Sequence, residues 1–340
     1  VASAVRGAKA VFHMAAQVAV TTSLTDPRAD FETNALGTLN LLEAARACAS
    51  PPPMIFASTN KVYGGLEDIA FDLVDDAYQP ADPQLRAHGI DECRPLDFHT
   101  PYGCSKGAAD QYVLDYARSY DLPTAVLRMS CIYGRRQMGT EDQGWVAHFL
   151  ISAIEGRTIT LYGDGCQVRD ILDVDDAVDA YLSLWRGIDQ VRGRAFNLGG
   201  GVDNAVSLRQ IIAQIESAPK PIIAAIHNAA MGGGLEMALG CHYRIAASDT
   251  RLALPEVKLG IIPGAGGTQR LPRLIGVRPA LDMIVSGDPV ADPLDVGLVD
   301  AITEGNLVEE AVMFARRGLE PRRTSELGEH LVEAKGHSKI

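Results

Sequence analysis

Tyr102 and Lys106 stand four residues apart in the run Tyr-Gly-Cys-Ser-Lys. On a helix that spacing puts a phenol and an ammonium one turn apart on the same face. An ammonium so placed lowers the phenol pKa, and the tyrosinate can then act as a base near neutral pH. A solvent-exposed helix face would carry the same pair with no chemistry attached. Thr59 adds weight, because it follows the apolar run Met54–Ser58 and falls at the carboxyl end of a predicted strand. Ligands bind at that end of open α/β sheets. His13-Met14-Ala15-Ala16 closes an earlier apolar run in the same way, and Asn34-Ala35-Leu36-Gly37-Thr38 opens a helix.

A second set lies further on. Pro221–Ile226 feeds into Met231-Gly232-Gly233-Gly234-Leu235-Glu236. Glycines there allow a tight turn and leave backbone N–H groups free at a helix start, which is how an oxyanion is held. Close packing of a helix on a strand also uses glycine. Leu254-Pro255-Glu256 brings a second carboxylate beside an apolar strand. Two carboxylates flanking an oxyanion site suit addition of water to an activated double bond, one acting on water and the other donating a proton to the α-carbon. In a chain with 43 acidic residues most glutamates are solvated surface groups, so the pair alone decides little.

These residues need a sheet to position them. Ala10–Ala16 and Met54–Ser58 read as buried parallel strands. Asp30–Ala49 and Tyr102–Tyr120 read as helices, Thr124–Arg128 as a strand, and Val146–Glu155 and Ala177–Trp185 as further helices. Residues 64–100 are polar and proline-bearing and read as a long loop. The alternation of strand and helix means an α/β fold with a mostly parallel sheet. Ser217–Pro221 is a breaker, after which the pattern restarts with a strand at Ile222–Ile226 and a helix at Gly233–Leu239. Residues 318–340 are charged and turn-rich and are expected to fray.

The 340 residues allow one large or two modest domains. A net charge of −12 argues against nucleic acid and anionic membranes as partners, although not against a small anionic ligand held by local donors. The six cysteines form no CxxC pair, so no metal or redox motif is expected, and scattered thiols fit a cytoplasmic setting. The chain opens at Val1 inside what reads as the end of a helix, with no secretory leader, and so reads as N-terminally truncated.

From Ala10 to Ile215 the sequence resembles the extended short-chain dehydrogenase/reductase family, in its CDP-paratose 2-epimerase (CDP-tyvelose epimerase) group. The strings that carry this are Phe12–Ser23, Ser58–Gly65, Leu96–Lys106, Glu141–Trp145 and Gly163–Asp170. The resemblance implies a Rossmann-like parallel sheet, bound NAD and a nucleotide-sugar substrate. It implies transient oxidation of a sugar carbon, then hydride return to the opposite face. Tyr102 would be the base, and Lys106 would hold the nicotinamide ribose. Thr59 would bond the sugar hydroxyl, and Ala15, Ala16 and Gln17 would line the NAD. Asn34 would support the site, and Arg169 would grip the diphosphate by bidentate hydrogen bonds. No GxGxxG or GxxGxxG occurs in the sequence, although the family cradles the pyrophosphate on such a turn.

Residues from about 217 to 336 resemble the crotonase (enoyl-CoA hydratase/isomerase) superfamily. The strings are Lys220–Ile226, Gly232–Leu239, Cys241–Arg244 and Leu254–Leu271. The resemblance implies an acyl-CoA thioester substrate, Glu236 and Glu256 as catalytic residues and Gly233 as an oxyanion donor. Asn228 replaces a glycine after the strand and is expected to perturb the turn. The expected organisation is therefore a partial Rossmann-like domain at 1–215, a partial crotonase-like α/β domain at 217–336 and a tail at 337–340. Both resemblances imply homo-oligomers. Three readings stay open: a sugar-nucleotide epimerase fused to a crotonase fragment, an enoyl-CoA hydratase, and an inactive chimeric or misassembled product.

Overall fold

The computed structural model describes residues 1–140, 143–145, 147–148 and 164–328. The expected helix over 146–155, Glu141 and Asp142 of one string, Gly163 of another and the tail beyond 328 lie wholly or largely outside them.

The first apolar run forms β1 (Val11–His13), shorter than expected. The chain leaves the sheet at Met14 because Gln17 is tied elsewhere: its N–H donates to Asn34 Oδ1 (2.9 Å) and its carbonyl accepts from Asn34 Nδ2 (3.0 Å). The helix expected over Asp30–Ala49 is α1 (Pro27–Phe31), a π-helical turn at Glu32–Leu36 and α2 (Gly37–Arg46). Asp26 caps α1 by accepting from Ala29 N, and Pro27 fills the first position, where no donor is needed. β2 (Met54–Thr59) is buried at every residue, as a central parallel strand requires.

The expected loop at 64–100 instead contains a hairpin, β3 (Phe71–Val74) and β4 (Ala77–Pro80), and a short helix, α3 (Pro83–His88). Asp75 and Asp76 make the turn at φ +49° and +60°. Such turns usually announce themselves through Asn-Gly or Asp-Gly, so the Asp-Asp pair hid this one. α4 (Thr100–Tyr120), β5 (Thr124–Met129), β6 (Cys131–Tyr133), β7 (Val168–Asp173), α5 (Val174–Arg186) and β8 (Arg194–Leu198) follow.

The main sheet has the order β1-β2-β5-β8, every pair parallel, with His13 opposite Phe56, Thr59 opposite Met129 and Leu127 opposite Phe196. Helices cover both faces. Met54, Phe56 and Val126 pack with Leu42, Ala109 and Val113 of α2 and α4 on one side. Ile55, Ala57 and Leu127 pack with Tyr181 of α5 on the other. Alternate residues of β2 therefore serve opposite cores, the period-two rule of a strand. This is a doubly wound α/β arrangement, in which the carboxyl ends of β1 and β2 share one edge.

The second half runs β9 (Ala205–Ser207), α6 (Leu208–Glu216), β10 (Ile223–Ile226), β11 (Ala229–Met231), α7 (Gly233–Gly240), β12 (Tyr243–Ala247) and β13 (Arg251–Ala253). A 3₁₀ turn at Pro255–Leu259, α8 (Gly267–Ile275), α9 (Val277–Ser286), β14 (Ala301–Thr303) and α10 (Leu307–Ala315) complete it. β10-β12-β14 form one parallel sheet and β11-β13 pair in parallel beside α7. Leu235, Leu239, Leu252, Leu254, Leu271 and Leu298 form its core.

The chain divides into two compact units. The first holds 1–72, 80–147 and 169–205; the second holds 73–79, 148–168 and everything from 206 onward. The tip of the β3–β4 hairpin and helix α6 thus belong to the second unit. Among the described residues no helix is long and apolar enough to cross a membrane.

Candidate active sites

In the first unit β2 ends at Thr59, whose hydroxyl accepts from Lys61 N (3.2 Å) and starts a 3₁₀ turn. Tyr102, in the first turns of α4, is buried, with the Thr59 side chain near enough to lower its pKa. Lys106 lies one turn on, 3% exposed, with its Nζ donating to Ala57 O (2.5 Å) and standing 4.2 Å from the Phe56 ring centroid. Burial lowers the Lys106 pKa to about 8, against the pull of Asp110 and Asp30. The expected lowering of the Tyr102 pKa is not what the structure shows. Burial raises it, the Thr59 side chain partly offsets that, and Asp30 raises it further. Burial outweighs any help from the Lys106 ammonium, which donates to the Ala57 carbonyl, and added positive charge near the phenol would favour its ionisation.

Asn34 sits on the π-helical turn and joins three elements. Its Nδ2 is within hydrogen-bonding distance of Gln17 O (3.0 Å), Ser105 Oγ (3.0 Å) and Asp30 Oδ1 (3.3 Å). Ser105 Oγ donates to Asp30 Oδ2 (2.5 Å). π-turns recur at functional sites, and this one places an amide where a regular helix would turn it away. Ala15 is exposed and Ala16 half-buried in the loop after β1. Gln17 Oε1 is buried with no hydrogen-bond partner. An orphaned acceptor beside two alanines suits the hydroxyls or amide of a nicotinamide riboside. The residues present therefore fit that end of NAD, while the sequence offers no glycine-rich turn for the pyrophosphate. Arg169, exposed on β7, lies within electrostatic range of Lys61 and Cys131, close to the turn after Thr59.

A buried network beneath this site escaped the sequence reading. Asp110 accepts from Ser58 Oγ (2.7 Å) and from Arg128 Nε and Nη2 (3.0 Å each), while Arg128 Nη1 donates to the Tyr63 hydroxyl (3.0 Å). Its signal was present: Tyr102, Lys106 and Asp110 recur at every fourth position, a polar stripe on the buried face of a helix.

In the second unit Gly232 adopts φ +57° and α7 opens at Gly233, so the Gly233 N–H is among those with no acceptor inside the helix. Asn228 stands at the turn between β10 and β11. It takes up φ +57°, which asparagine tolerates, and its carbonyl accepts from Arg251 N (2.7 Å). Glu236 is fully buried, and its Oε1 accepts from Ala265 N and Gly267 N (2.8 Å each) while Oε2 has no partner. Neither oxygen of Glu256 has one. Burial raises the Glu256 pKa to about 7, its own backbone N–H lowers it, and the Glu236 charge adds to the rise. Burial also raises Glu236, but the two amides counter it. At about 7 the Glu256 carboxyl can hold a proton near neutrality, while the two amides favour the Glu236 carboxylate. Cys241–Arg244, by contrast, is structural: Arg244 is fully buried and donates to Leu298 O (3.0 Å) and Cys241 O (2.8 Å), and His242 Nδ1 accepts from Ile222 N (2.8 Å).

Residues 1–199 match the NAD dependent epimerase/dehydratase family, and the chain belongs to that family. Residues 202–334 match the enoyl-CoA hydratase/isomerase family model, so a crotonase segment is fused behind the first. CDP-paratose 2-epimerase of Salmonella typhi is 47% identical over 210 residues, covering 60% of this chain and 61% of that protein. A probable enoyl-CoA hydratase of Bacillus subtilis (strain 168) is 46% identical over 165 residues, covering 43% of this chain and 64% of that protein. The chain thus spans less than two thirds of either relative. A UDP-glucuronic acid 4-epimerase variant from Bacillus cereus, solved with a UDP-sugar and NAD, aligns at TM-score 0.51 and 25% identity over 63% of this chain and 60% of that one.

Proposed function

We propose that residues 1–215 constitute the chemical half of an NAD-dependent sugar-nucleotide epimerase of the CDP-sugar 2-epimerase type. The observation that carries this reading is the Thr59–Tyr102–Lys106 cluster at the carboxyl end of a central parallel strand, with the orphaned Gln17 acceptor beside it. NAD, when bound, supplies a hydride acceptor and donor for the sugar carbon. Thr59 orients the sugar hydroxyl and Tyr102 takes and returns its proton. Lys106, held on Ala57 O, faces the nicotinamide ribose, and the positive nicotinamide offsets the burial that raises Tyr102. Ala15, Ala16 and Gln17 line that end of NAD, Asn34 fixes their loop, and Arg169 holds the diphosphate of the nucleotide sugar. The test is to incubate the full chain with NAD and a CDP-sugar and follow inversion at C2 by proton NMR. Inversion that stops in Tyr102→Phe supports the reading; no bound NAD and no inversion sinks it.

A specific observation favours a second reading for residues 217–336. Glu236 and Glu256 are buried together with three unpartnered oxygens, beside a helix start at Gly233. We infer hydration of a 2-enoyl-CoA thioester there. Gly233 N–H would contribute to holding the thioester oxygen, the Glu236 carboxylate would activate water and the Glu256 carboxyl would deliver the α-proton. Loss of the enoyl-thioester absorbance on mixing crotonyl-CoA with the full chain tests it. If neither reaction occurs and the chain melts broadly, the chimeric-product reading is the one that survives.

A further inference from the structure

The hairpin tip at Asp75-Asp76 lies far from either glutamate in sequence, within the stretch that resembles the epimerases, yet residues 73–79 belong to the second compact unit. Asp75 and Asp76 hold φ +49° and +60°. Two consecutive non-glycine residues in left-handed backbone cost energy, and such strain persists only where surrounding contacts hold it. Three side chains at the start of α6 hydrogen-bond to this turn. Ser207 Oγ donates to Asp76 O (2.7 Å), and Gln210 Nε2 donates to Asp75 O (3.1 Å). Arg209 Nη1 donates to the Asp76 carboxylate (2.9 Å). The same guanidinium reaches on: Arg209 Nε donates to Gly264 O (2.7 Å). The next N–H groups along that loop, Ala265 and Gly267, are the two that hold Glu236 Oε1. Ile212 of α6 also packs on Gly240 so closely that a Cβ there would stand 2.5 Å from its Cγ2, which fixes α6 against the helix that carries Glu236.

We propose that Asp76 and Arg209 form a clamp that positions the Gly264–Gly267 loop, and through it the Glu236 carboxylate, so that a hairpin from the epimerase-like stretch serves the second site. Both are positioning residues: neither is hydrogen-bonded to a glutamate, although the Arg209 charge also lowers the Glu236 pKa, so Asp76→Asn, which leaves Arg209 in place, is the cleaner probe of the loop. The kinetic part rests on the hydratase reading above; the structural part does not. The clamp explains why the chain tolerates a strained Asp-Asp turn.

The test uses the full chain as wild type, Asp76→Asn, Arg209→Met and the double variant. Hydrogen exchange read by mass spectrometry on peptides covering 260–268 should quicken about tenfold in each single variant, while peptides covering 223–231 stay as in wild type. The double variant should exchange no faster than Arg209→Met, because both act through one clamp. Crotonyl-CoA hydration should lose about ten- to a hundredfold in kcat with KM within about twofold, the mark of a displaced catalytic group. Asp76→Asn keeps the turn's size and serves where Arg209→Met fails to fold. Unchanged exchange at 260–268 in Asp76→Asn overturns the clamp. Quickened exchange in a chain whose wild type hydrates nothing keeps the clamp and removes the hydratase reading.

Discussion

Lys106 and Glu256 are both ionisable groups shut away from solvent, and burial drives both toward neutrality, Lys106 down to about 8 and Glu256 up to about 7. Their surroundings differ. Lys106 has a carbonyl acceptor, an aromatic face and two carboxylates in range. Among the described residues, nothing beyond its own backbone N–H donates to Glu256, and a second carboxylate is nearby. In the first unit Lys106 is held by a carbonyl and an aromatic face, and two carboxylates favour its charged form. In the second, glycine-bounded loops hold the backbone and leave a carboxyl group to be protonated. The first arrangement suits a base that must stay in register with a large cofactor; the second suits an acid that must give up its proton.

The largest effects should show that the two chemistries are separate. Tyr102→Phe is expected to cut sugar epimerisation by about two to four orders of magnitude, and Glu256→Gln to cut enoyl-thioester hydration by about as much. Each should leave the other reaction within about twofold of wild type. Steady-state assays of both variants on both substrates check this. A Tyr102→Phe chain that also lost hydration would show that the comparison between independent sites is wrong.

Next in size is the contrast between a paired and an unpaired buried carboxylate. Asp110→Ala strands Arg128, whose guanidinium is 4% exposed, without its partner. Breaking one side of a buried pair costs about 3–5 kcal/mol. Glu256→Gln strands nothing, because among the described residues no donor beyond its own backbone N–H is bound to that carboxylate, and at pH 8 it should leave stability unchanged or raised. Urea unfolding of the two variants, read by exchange in each unit, decides it. Equal destabilisation by both would erase the distinction.

The legibility of these features in the sequence follows the same line. Positions set by type and spacing were readable: the Tyr102–Lys106 interval on one helix, Thr59 at the end of a buried strand, Glu236 behind a glycine triplet. Alternation of strand and helix was enough for the parallel sheet. Asp30, Ser105 and Arg128 were not readable, because their partners lie 18 to 75 positions away and only the fold brings them together. The hairpin at 71–80 was missed because its turn carries no glycine. The shortened β1 was missed because Asn34, a side chain on another element, takes the backbone of Gln17. Arg209 was missed because a helix-capping sequence such as Ser207–Gln210 explains itself locally and hides a longer reach. The Tyr102 pKa was misjudged because spacing predicts proximity of an ammonium but not how deeply the fold buries the phenol.

Acidity offers the finest test, because the two units should answer pH with opposite signs. His13 is buried beside Lys106, and burial first, then that ammonium, lowers its pKa from 6.5 to about 4. A depressed folded pKa gives stability that is complete above the unfolded value and is lost as pH falls through the folded one, so this contribution fades from about pH 6.5 toward 4. Glu256 runs the other way. Its raised pKa gives stability that is complete below the unfolded value of 4.5 and is lost as pH rises through about 7. Each shift is worth on the order of 3 kcal/mol if fully expressed, before any loss to partial solvation. Other titrating groups add to both curves, so the comparison is made between variants rather than between pH values alone. Between pH 4 and 7.5, His13→Asn should flatten the acid limb of opening in the first unit, read by exchange in peptides covering 54–59. Glu256→Gln should flatten the alkaline limb in the second, read in peptides covering 243–254. If both substitutions flatten the same limb, the two sites share one electrostatic environment, and the contrast between a satisfied and an unsatisfied buried charge no longer distinguishes them.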